Sequence, residues 1–426
     1  MIAPGINAWL RRLEAMQPAR IELGLERVRA AMAGMGLPAR LPVPTLLVGG
    51  TNGKGSAVAY LKAMLSAAGY RVGAYTSPHL LRYNERIAIG DQFINDDALV
   101  ATFEAVEAGR GDLPLTYFEF GTLAAVQAFL QAEVEIILLE VGLGGRLDAV
   151  NAFEPDLSLL MSLDLDHRDW LGPDRESIAR EKTGIFRAGV PAVCADPQPP
   201  LAVSVAAERL GLPLYQAGRD FRVQRAGTDA WDWTGPGGEL LELRLPALAG
   251  KHQLANAAAC ICALHALPQL EVPEQAVRAG LAKARIAGRF QSVQRAGRPV
   301  LILDVAHNPD AARALAANLA SLPGPGRVQA MVGMLADKDH AATLEPLIPH
   351  VDRWFCITPD SPRALDAGTL ASILRGLGAS RVETPGDAAR ALRAAEAGAE
   401  GRDVVLVFGS FLTVAAAAAL EQLDVA

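Results

Sequence analysis

The stretch from Pro44 to Ser56, reading Pro-Thr-Leu-Leu-Val-Gly-Gly-Thr-Asn-Gly-Lys-Gly-Ser, constrains this chain more than any other. Thr45 to Val48 is a short apolar run that reads as a buried strand, the glycines end it, and Ala57 to Ala68 reads as a helix closed by Gly69. A strand, a glycine-rich turn and a helix N-terminus in that order make an anion site, because free backbone N–H groups and the helix dipole point into the turn. Lys54 adds a positive charge and Ser56 a hydroxyl suited to a phosphate-bound Mg²⁺. The strict phosphate-loop pattern asks for Gly at position 48 and Ser or Thr at position 55, where this chain has Val48 and Gly55, so the loop is a variant. The plainer alternative is an ordinary turn between strand and helix, which leaves Lys54 without an anionic partner.

At 426 residues the chain exceeds one ordinary core, so two or three domains are expected, and 51% apolar residues suffice to fill them. A net charge of −7 argues against nucleic acid or an anionic membrane as the main partner. Cys194, Cys260, Cys262 and Cys356 form no CxxC pair and have no histidine cluster beside them, which fits thiols in a reducing compartment. Met1 to Leu10 lacks a basic segment followed by a long apolar one. No stretch reaches the roughly 18–20 apolar residues of a spanning helix, so a cytoplasmic protein is expected.

Residues 8–37 carry helical periodicity, with Trp9, Leu10, Leu13 and Met16 on one face and Leu25, Val28, Ala31 and Met32 on another. Pro18 is expected to separate two helices, and Ile21 to Arg27 to join them. Past the glycine-rich loop, Arg71 to Ser77 reads as a second strand. Pro78 stops it, leaving Ser77 and His79 at its carboxyl end, where ligands sit in open parallel sheets. Arg82 to Asp91 mixes both charge signs and is either a mobile loop beside the site or a solvated hairpin.

Val134 to Val141 is the clearest central strand and delivers Glu140 at its tip, just before the turn from Gly142 to Asp148. A carboxylate there suits holding Mg²⁺ directly or through water, and the plainer alternative is an ion pair with Arg146. Leu157 to Leu163 ends in Asp164, Asp166 and His167, the last being either a neutral ligand for a second ion or a capping or core histidine. Arg180 to Arg187 follows on a helix, where Glu181 and Lys182 would ordinarily be surface charges. Alternation at Asp220 to Arg225 and Leu240 to Leu245 fits a small antiparallel excursion, and Gly250 to Asn256 opens an Ala-rich helix. From Val300 onward strands and helices alternate long enough for a separate doubly wound domain.

Eleven segments occur in order: Ile21 to Val28, Gly50 to Ser56, Thr76 to Leu80, Leu115 to Glu119, Glu140 to Asp148, Asp166 to Gly172, Arg180 to Lys182 with Gly184 to Phe186, Gly288 to Gln291, Asp304 to Pro309, Gly333 to Asp339 and Gly409 to Val414. Together they resemble the folylpolyglutamate synthetase/dihydrofolate synthetase family of the Mur-ligase superfamily, in its bacterial bifunctional form. The resemblance implies an α/β chain. Residues 1–290 would form a P-loop-type ATP-binding domain with a mostly parallel sheet and a small antiparallel excursion. A linker at about 288–298 and a C-terminal doubly wound, Rossmann-like ligase domain over 298–426 would follow. The implied activity is ATP-dependent joining of L-glutamate to dihydropteroate and to folates through an acyl phosphate, giving ADP and phosphate, by a monomer.

By the same resemblance Thr51, Asn52, Gly53, Lys54, Gly55 and Ser56 cradle the ATP phosphates. Ser77 and Glu140 ligate one Mg²⁺, and Glu140 with His167 a second. Lys182 matches the lysine that is carbamylated in the family, turning a cation into a carboxylate able to support the metal, and Lys54, Glu140, His167 and Lys182 carry catalysis. Asn256, Arg289 and Asp304 match nucleotide-binding positions, with His307 beside them, so ATP would be held by both domains. The pterin is expected at Ile21, Glu22 and Leu23, at Thr116, Tyr117, Phe118 and Glu119, and at Leu147, Asp148 and Ala149. Many relatives have Asp where this chain has Glu22, which keeps the carboxylate with a longer reach. Two other readings share the phosphate loop. A peptidoglycan-precursor ligase of the Mur type leaves the pterin segments unexplained, and a nucleotide-dependent switch module has no use for His167 or the second-domain residues.

Overall fold

The apolar run ahead of the glycines forms β1 (Thr45–Gly49), and the same sheet takes in β2 (Val72–Tyr75), β3 (Ile87–Ile89), β4 (Gln92–Phe93), β5 (Ile136–Glu140), β6 (Leu157–Leu160), β7 (Ala192–Cys194) and β8 (Leu214–Gln216). Their order is β4-β3-β2-β5-β1-β6-β7-β8 in the computed structural model, which describes residues 5–16, 23–166, 168–322, 324, 326–397, 399 and 401–423. All pairings are parallel except β2 with β3 and β3 with β4. Val48 is level with Glu140 on one side and Leu159 on the other, so the loop after β1 emerges between the tips of β5 and β6.

A parallel sheet covered on both faces needs side chains that are apolar in both directions, and Leu46, Leu47, Val48 and Ile136 to Leu139 are fully buried. Leu47, Ile137 and Leu139 join a core with Phe120 and Leu123 of the helix Tyr117–Gln131, where the Trp9, Phe103 and Phe120 rings also meet. Leu46, Val48 and Leu138 alternate to the opposite face. The helix Lys54–Ala67 packs on β1, β2 and β5, and the helix Glu274–Lys283 packs on it in turn. The antiparallel excursion is a sheet of β9 (Arg222–Arg225), β10 (Ala230–Gly235) and β11 (Gly238–Arg244), in the order β11-β10-β9. Trp233 fastens it to the helix Lys251–His265 by donating to the Ala258 carbonyl at 3.1 Å and stacking on His265.

The chain divides into two compact units. One runs to Ala247 and includes Leu254–Ala284, and the other holds Leu248–Gln253 and the chain from Arg285 onward. The second unit is a doubly wound sheet of β12 (Gln291–Val293), β13 (Val300–Leu303), β14 (Val328–Val332), β15 (Arg353–Ile357), β16 (Val382–Gly386) and β17 (Val404–Phe408), in the order β12-β13-β17-β14-β15-β16, parallel but for β12.

Two local expectations change. Arg82 to Asp91 is not solvated over its length: a helical turn, Tyr83–Arg86, leads into β3, which forms a hairpin with the edge strand β4, and Tyr83, Asn84, Arg86 and Ile87 are buried. The helix after the loop begins at Lys54 rather than Ala57, which puts the lysine in its first turn. The packing of Glu274–Lys283 on Lys54–Ala67 depends on Gly280, where a Cβ would stand 2.5 Å from Met64 Cα and 2.6 Å from Met64 N. Because those are backbone atoms, Gly280→Ala is expected to lose about 1–3 kcal/mol, read as a lower urea midpoint, and an unchanged midpoint would show that the two helices part without cost.

Candidate active site

The loop between β1 and the helix Lys54–Ala67 is bent tightly back on itself. Gly53 has φ +87°, and a Cβ there would meet Asn256 Oδ1 at 2.8 Å, so only glycine fits beneath that amide. Lys54 Nζ donates to the Gly50 carbonyl at 3.0 Å and to the Thr51 carbonyl at 3.2 Å. The chain leaving β6 fixes the other side: Thr51 N donates to the Ser162 carbonyl at 2.7 Å, and the Thr51 hydroxyl donates to the Asp164 carbonyl at 3.0 Å while accepting from Asp164 N. That exit segment is itself held by Asp196, which accepts from Leu163 N at 3.1 Å and from Arg175 at 2.8 Å.

Lys182 is not a surface charge. It is 5% exposed, and its Nζ donates to the Gly50 carbonyl at 2.9 Å, the same oxygen that Lys54 reaches. Gly145 lets the turn after β5 approach this close, since a Cβ there would stand 2.8 Å from the Lys182 carbonyl oxygen. Burial, and then the charge of Lys54, push the Lys182 pKa down from 10.5 to about 7. Asp148 shifts oppositely, from 3.8 to about 7, because it is buried; hydrogen bonds from Leu143 N and Val150 N oppose that rise.

Glu140 is 5% exposed at the tip of β5, and its carboxylate accepts from Ser77 N at 3.1 Å. Arg146 pairs with Glu181 at 3.0 Å rather than with Glu140. The structure thus brings Ser77 to Glu140, and both to the strand tips beside the loop. His167 lies outside the described residues, and among the described residues no cluster of three His, Cys, Asp or Glu side chains is placed to hold a metal ion.

Of the residues expected to meet the pterin, Ile21 and Glu22 lie outside the described residues and Leu23 is half-buried. Thr116 caps the helix Tyr117–Gln131 in a reciprocal box with Glu119, whose buried carboxylate also pairs with Arg27 at 2.9 Å, so Glu119 is engaged within the fold. Phe118 presses its ring against Gly142 and lies 5.8 Å from Tyr75, while Leu147, Asp148 and Ala149 follow in the adjoining turn.

Asn256 stands over the loop at Gly53. In the second unit Asp304 accepts from Phe290 N and Ala306 N, both at 2.8 Å, and burial raises its pKa against the lowering effect of Arg289. Arg289 lies over the Phe411 ring at 5.2 Å, and His307 is 6.3 Å from the same ring, so Arg289, Asp304 and His307 are gathered in one place.

Sequence reasoning passed over Arg86. It is 7% exposed, donates through Nε to His79 Nδ1 at 2.8 Å, and lies 5.2 Å from the ring centroids of both Tyr83 and Tyr117, contacts worth about 0.5–2 kcal/mol each. It hid in a run of mixed charge, and the tyrosines near it in space were the only available signal.

A family model described as Mur ligase, glutamate ligase domain, matches residues 288–411. Over 413 residues the chain is 44% identical to the dihydrofolate synthase/folylpolyglutamate synthase of Escherichia coli (strain K12), covering 97% of this chain and 94% of that one. The chain belongs to the dihydrofolate synthase/folylpolyglutamate synthase family. The structure of this family's E. coli FolC in complex with DHPP and ADP superposes with a TM-score of 0.92 at 43% identity, over 99% of this chain and 98% of the other. A crystal structure of a bifunctional folylpolyglutamate synthase/dihydrofolate synthase with Mn, AMPPNP and L-glutamate bound gives 0.90 at 44% identity, over 99% and 98%.

The two shifted groups set opposite pH trends in the ligand-free protein. Asp148 binds its proton more tightly folded than unfolded, so stability falls as pH rises from 3.8 to about 7. Lys182 releases its proton early when folded, so stability recovers as pH rises from about 7 toward 10.5. Asp148→Asn is expected to flatten the first limb and Lys182→Met the second, in urea midpoints measured across that range. Limbs unchanged from those of the parent would remove the shifts.

Proposed function

We propose that the groups at the tips of β1, β2, β5 and β6 carry out the family's reaction, ATP-dependent ligation of L-glutamate to dihydropteroate and to folates. A carboxylate is a resonance-stabilised anion that amines do not attack. Its oxygen therefore first takes the γ-phosphoryl group of ATP, with loss of ADP, and the glutamate nitrogen then attacks the acyl carbon and expels phosphate as it loses a proton. The first step drives one anion onto another, so positive charge and N–H donors have to be in place beforehand.

Lys54 and the backbone N–H groups of Thr51 to Ser56 meet that need, and the observation that carries the reading is the convergence of Lys54 and Lys182 on the Gly50 carbonyl at 3.0 and 2.9 Å. Asn256 at the loop, and Arg289, Asp304 and His307 in the second unit, are assigned to the nucleotide. Tyr117, Phe118, Leu147, Asp148 and Ala149 are assigned to the pterin, with Ile21, Glu22, Leu23, Thr116 and Glu119 from the motif resemblance. Ser77 and Glu140 offer hard oxygen donors that suit Mg²⁺ when phosphate oxygens complete the shell, and His167 is assigned beside them for a second ion. A bound Mg²⁺ would supply charge neutralisation at the phosphates.

A lysine whose pKa sits at about 7 is half neutral at physiological pH, and a neutral amine can add CO₂, forming an N–C bond and releasing a proton. Carbamylation of Lys182 is assigned on that basis. A cytoplasmic monomer is assigned from the motif resemblance, and the net charge of −7 argues against nucleic acid or an anionic membrane as the main partner.

Phosphate release is expected to require both dihydropteroate, or a folate, and L-glutamate, and ¹⁸O from the acid should appear in the phosphate. Release without the amino acid, or unlabelled phosphate, would overturn the mechanism. Lys54→Ala and Glu140→Ala should each lower turnover by about 100-fold or more with the fold intact by circular dichroism, and near-normal turnover in either would strip that residue of its role.

A further inference from the structure

We infer that Arg86 binds the carboxylate of the pteroyl acid, an inference that rests on the reaction proposed above. Arg86 is a nine-tenths buried guanidinium that no carboxylate among the described residues contacts. Other well-buried arginines of this chain have such partners: Arg110 pairs with Glu107, and Arg295 with Glu396 and Glu421. A fixed positive charge withdrawn from water without a counter-charge is costly, and a neutral tyrosine face only softens that cost.

The side chain is aimed rather than loose. Its Nε–H is taken by His79 Nδ1 at 2.8 Å and the Tyr75 hydroxyl hydrogen-bonds to the guanidinium, which fixes the plane of the fork whose remaining Nη donors suit a carboxylate. The buried hydroxyls of Tyr75 and Tyr83 both face Gly121, where a Cβ would stand 3.0 Å from the Tyr75 oxygen; that of Tyr75 hydrogen-bonds with Arg86 and Thr122, and that of Tyr83 has no hydrogen-bond partner among the described residues. The Tyr83 phenol is an additional buried donor in need of an acceptor.

The location fits an aromatic acid. The Arg86 carbonyl accepts from Thr76 N at 2.9 Å, which fixes Arg86 next to the exit of β2 where Ser77 stands. Its guanidinium lies over Tyr117, in the segment assigned to the pterin. An aryl carboxylate lying along those rings presents its anion to Arg86 with its oxygens near the strand tips that carry Glu140.

The test compares binding of dihydropteroate with binding of its carboxamide, which keeps the pterin and aryl rings and lacks the charge, by titration calorimetry on the parent protein, Arg86→Met and Arg86→Lys. The parent should prefer the acid by about 10- to 100-fold, Arg86→Met should abolish the preference by weakening the acid alone, and Arg86→Lys should retain part of it. In turnover, Arg86→Met should raise KM for dihydropteroate while KM for ATP and for L-glutamate stays unchanged. If Arg86→Met does not fold, Arg86→Lys and His79→Gln carry the comparison, and both should narrow the preference. A preference that survives in the folded variants overturns the role of Arg86 and leaves the reaction untouched. A parent protein that binds neither ligand overturns the substrate reading itself.

Discussion

One carbonyl oxygen, that of Gly50, accepts from two lysines, and much of the first unit exists to make that possible. Two full positive charges on one oxygen in a buried site would repel strongly, so the arrangement holds only because burial and the neighbouring Lys54 press Lys182 toward its neutral form. Lys54 stands in the first turn of a helix, at the end that favours an anion.

Three segments far apart in sequence have to meet for this. The loop comes from β1, its brace at Ser162 and Asp164 from the end of β6, and Lys182 from a helix that the glycine turn after β5 admits at close range. The parallel sheet makes the meeting rigid, because β5 and β6 flank β1 in register and deliver their carboxyl ends to the same rim. The brace is anchored again by Asp196 and Arg175, which hold the exit of β6 in place. Asp148, whose pKa burial raises to about 7, lies in the same surroundings.

Much of this was legible in the chain. The apolar runs of β1 and β5 read as central strands because side chains covered on both faces leave an unbroken apolar pattern, and the series from Val300 onward read as a doubly wound sheet for the same reason. Glu140 was visible as a strand-tip carboxylate. Other features carried no local mark. Trp231 and Trp233 of β10 alternate with Asp232 and Thr234 over too short a span to stand out in a polar stretch, and β12 is a three-residue edge. Arg86 sits in a run of alternating charge whose average character is that of solvent-exposed loop, and only its position under the tyrosine rings makes it a buried cation.

The order of residues along the chain determined which strands are apolar on both faces, where glycine permits a turn that no other residue takes, and which side chains stand at strand ends, because these follow from local sterics and hydrophobic periodicity. Tertiary structure alone decided the charge of Lys182, the partners of Glu119 and Arg146, and the isolation of Arg86 from any carboxylate among the described residues. Those properties depend on burial and on distances between residues remote in sequence, and neither exists until the chain has folded.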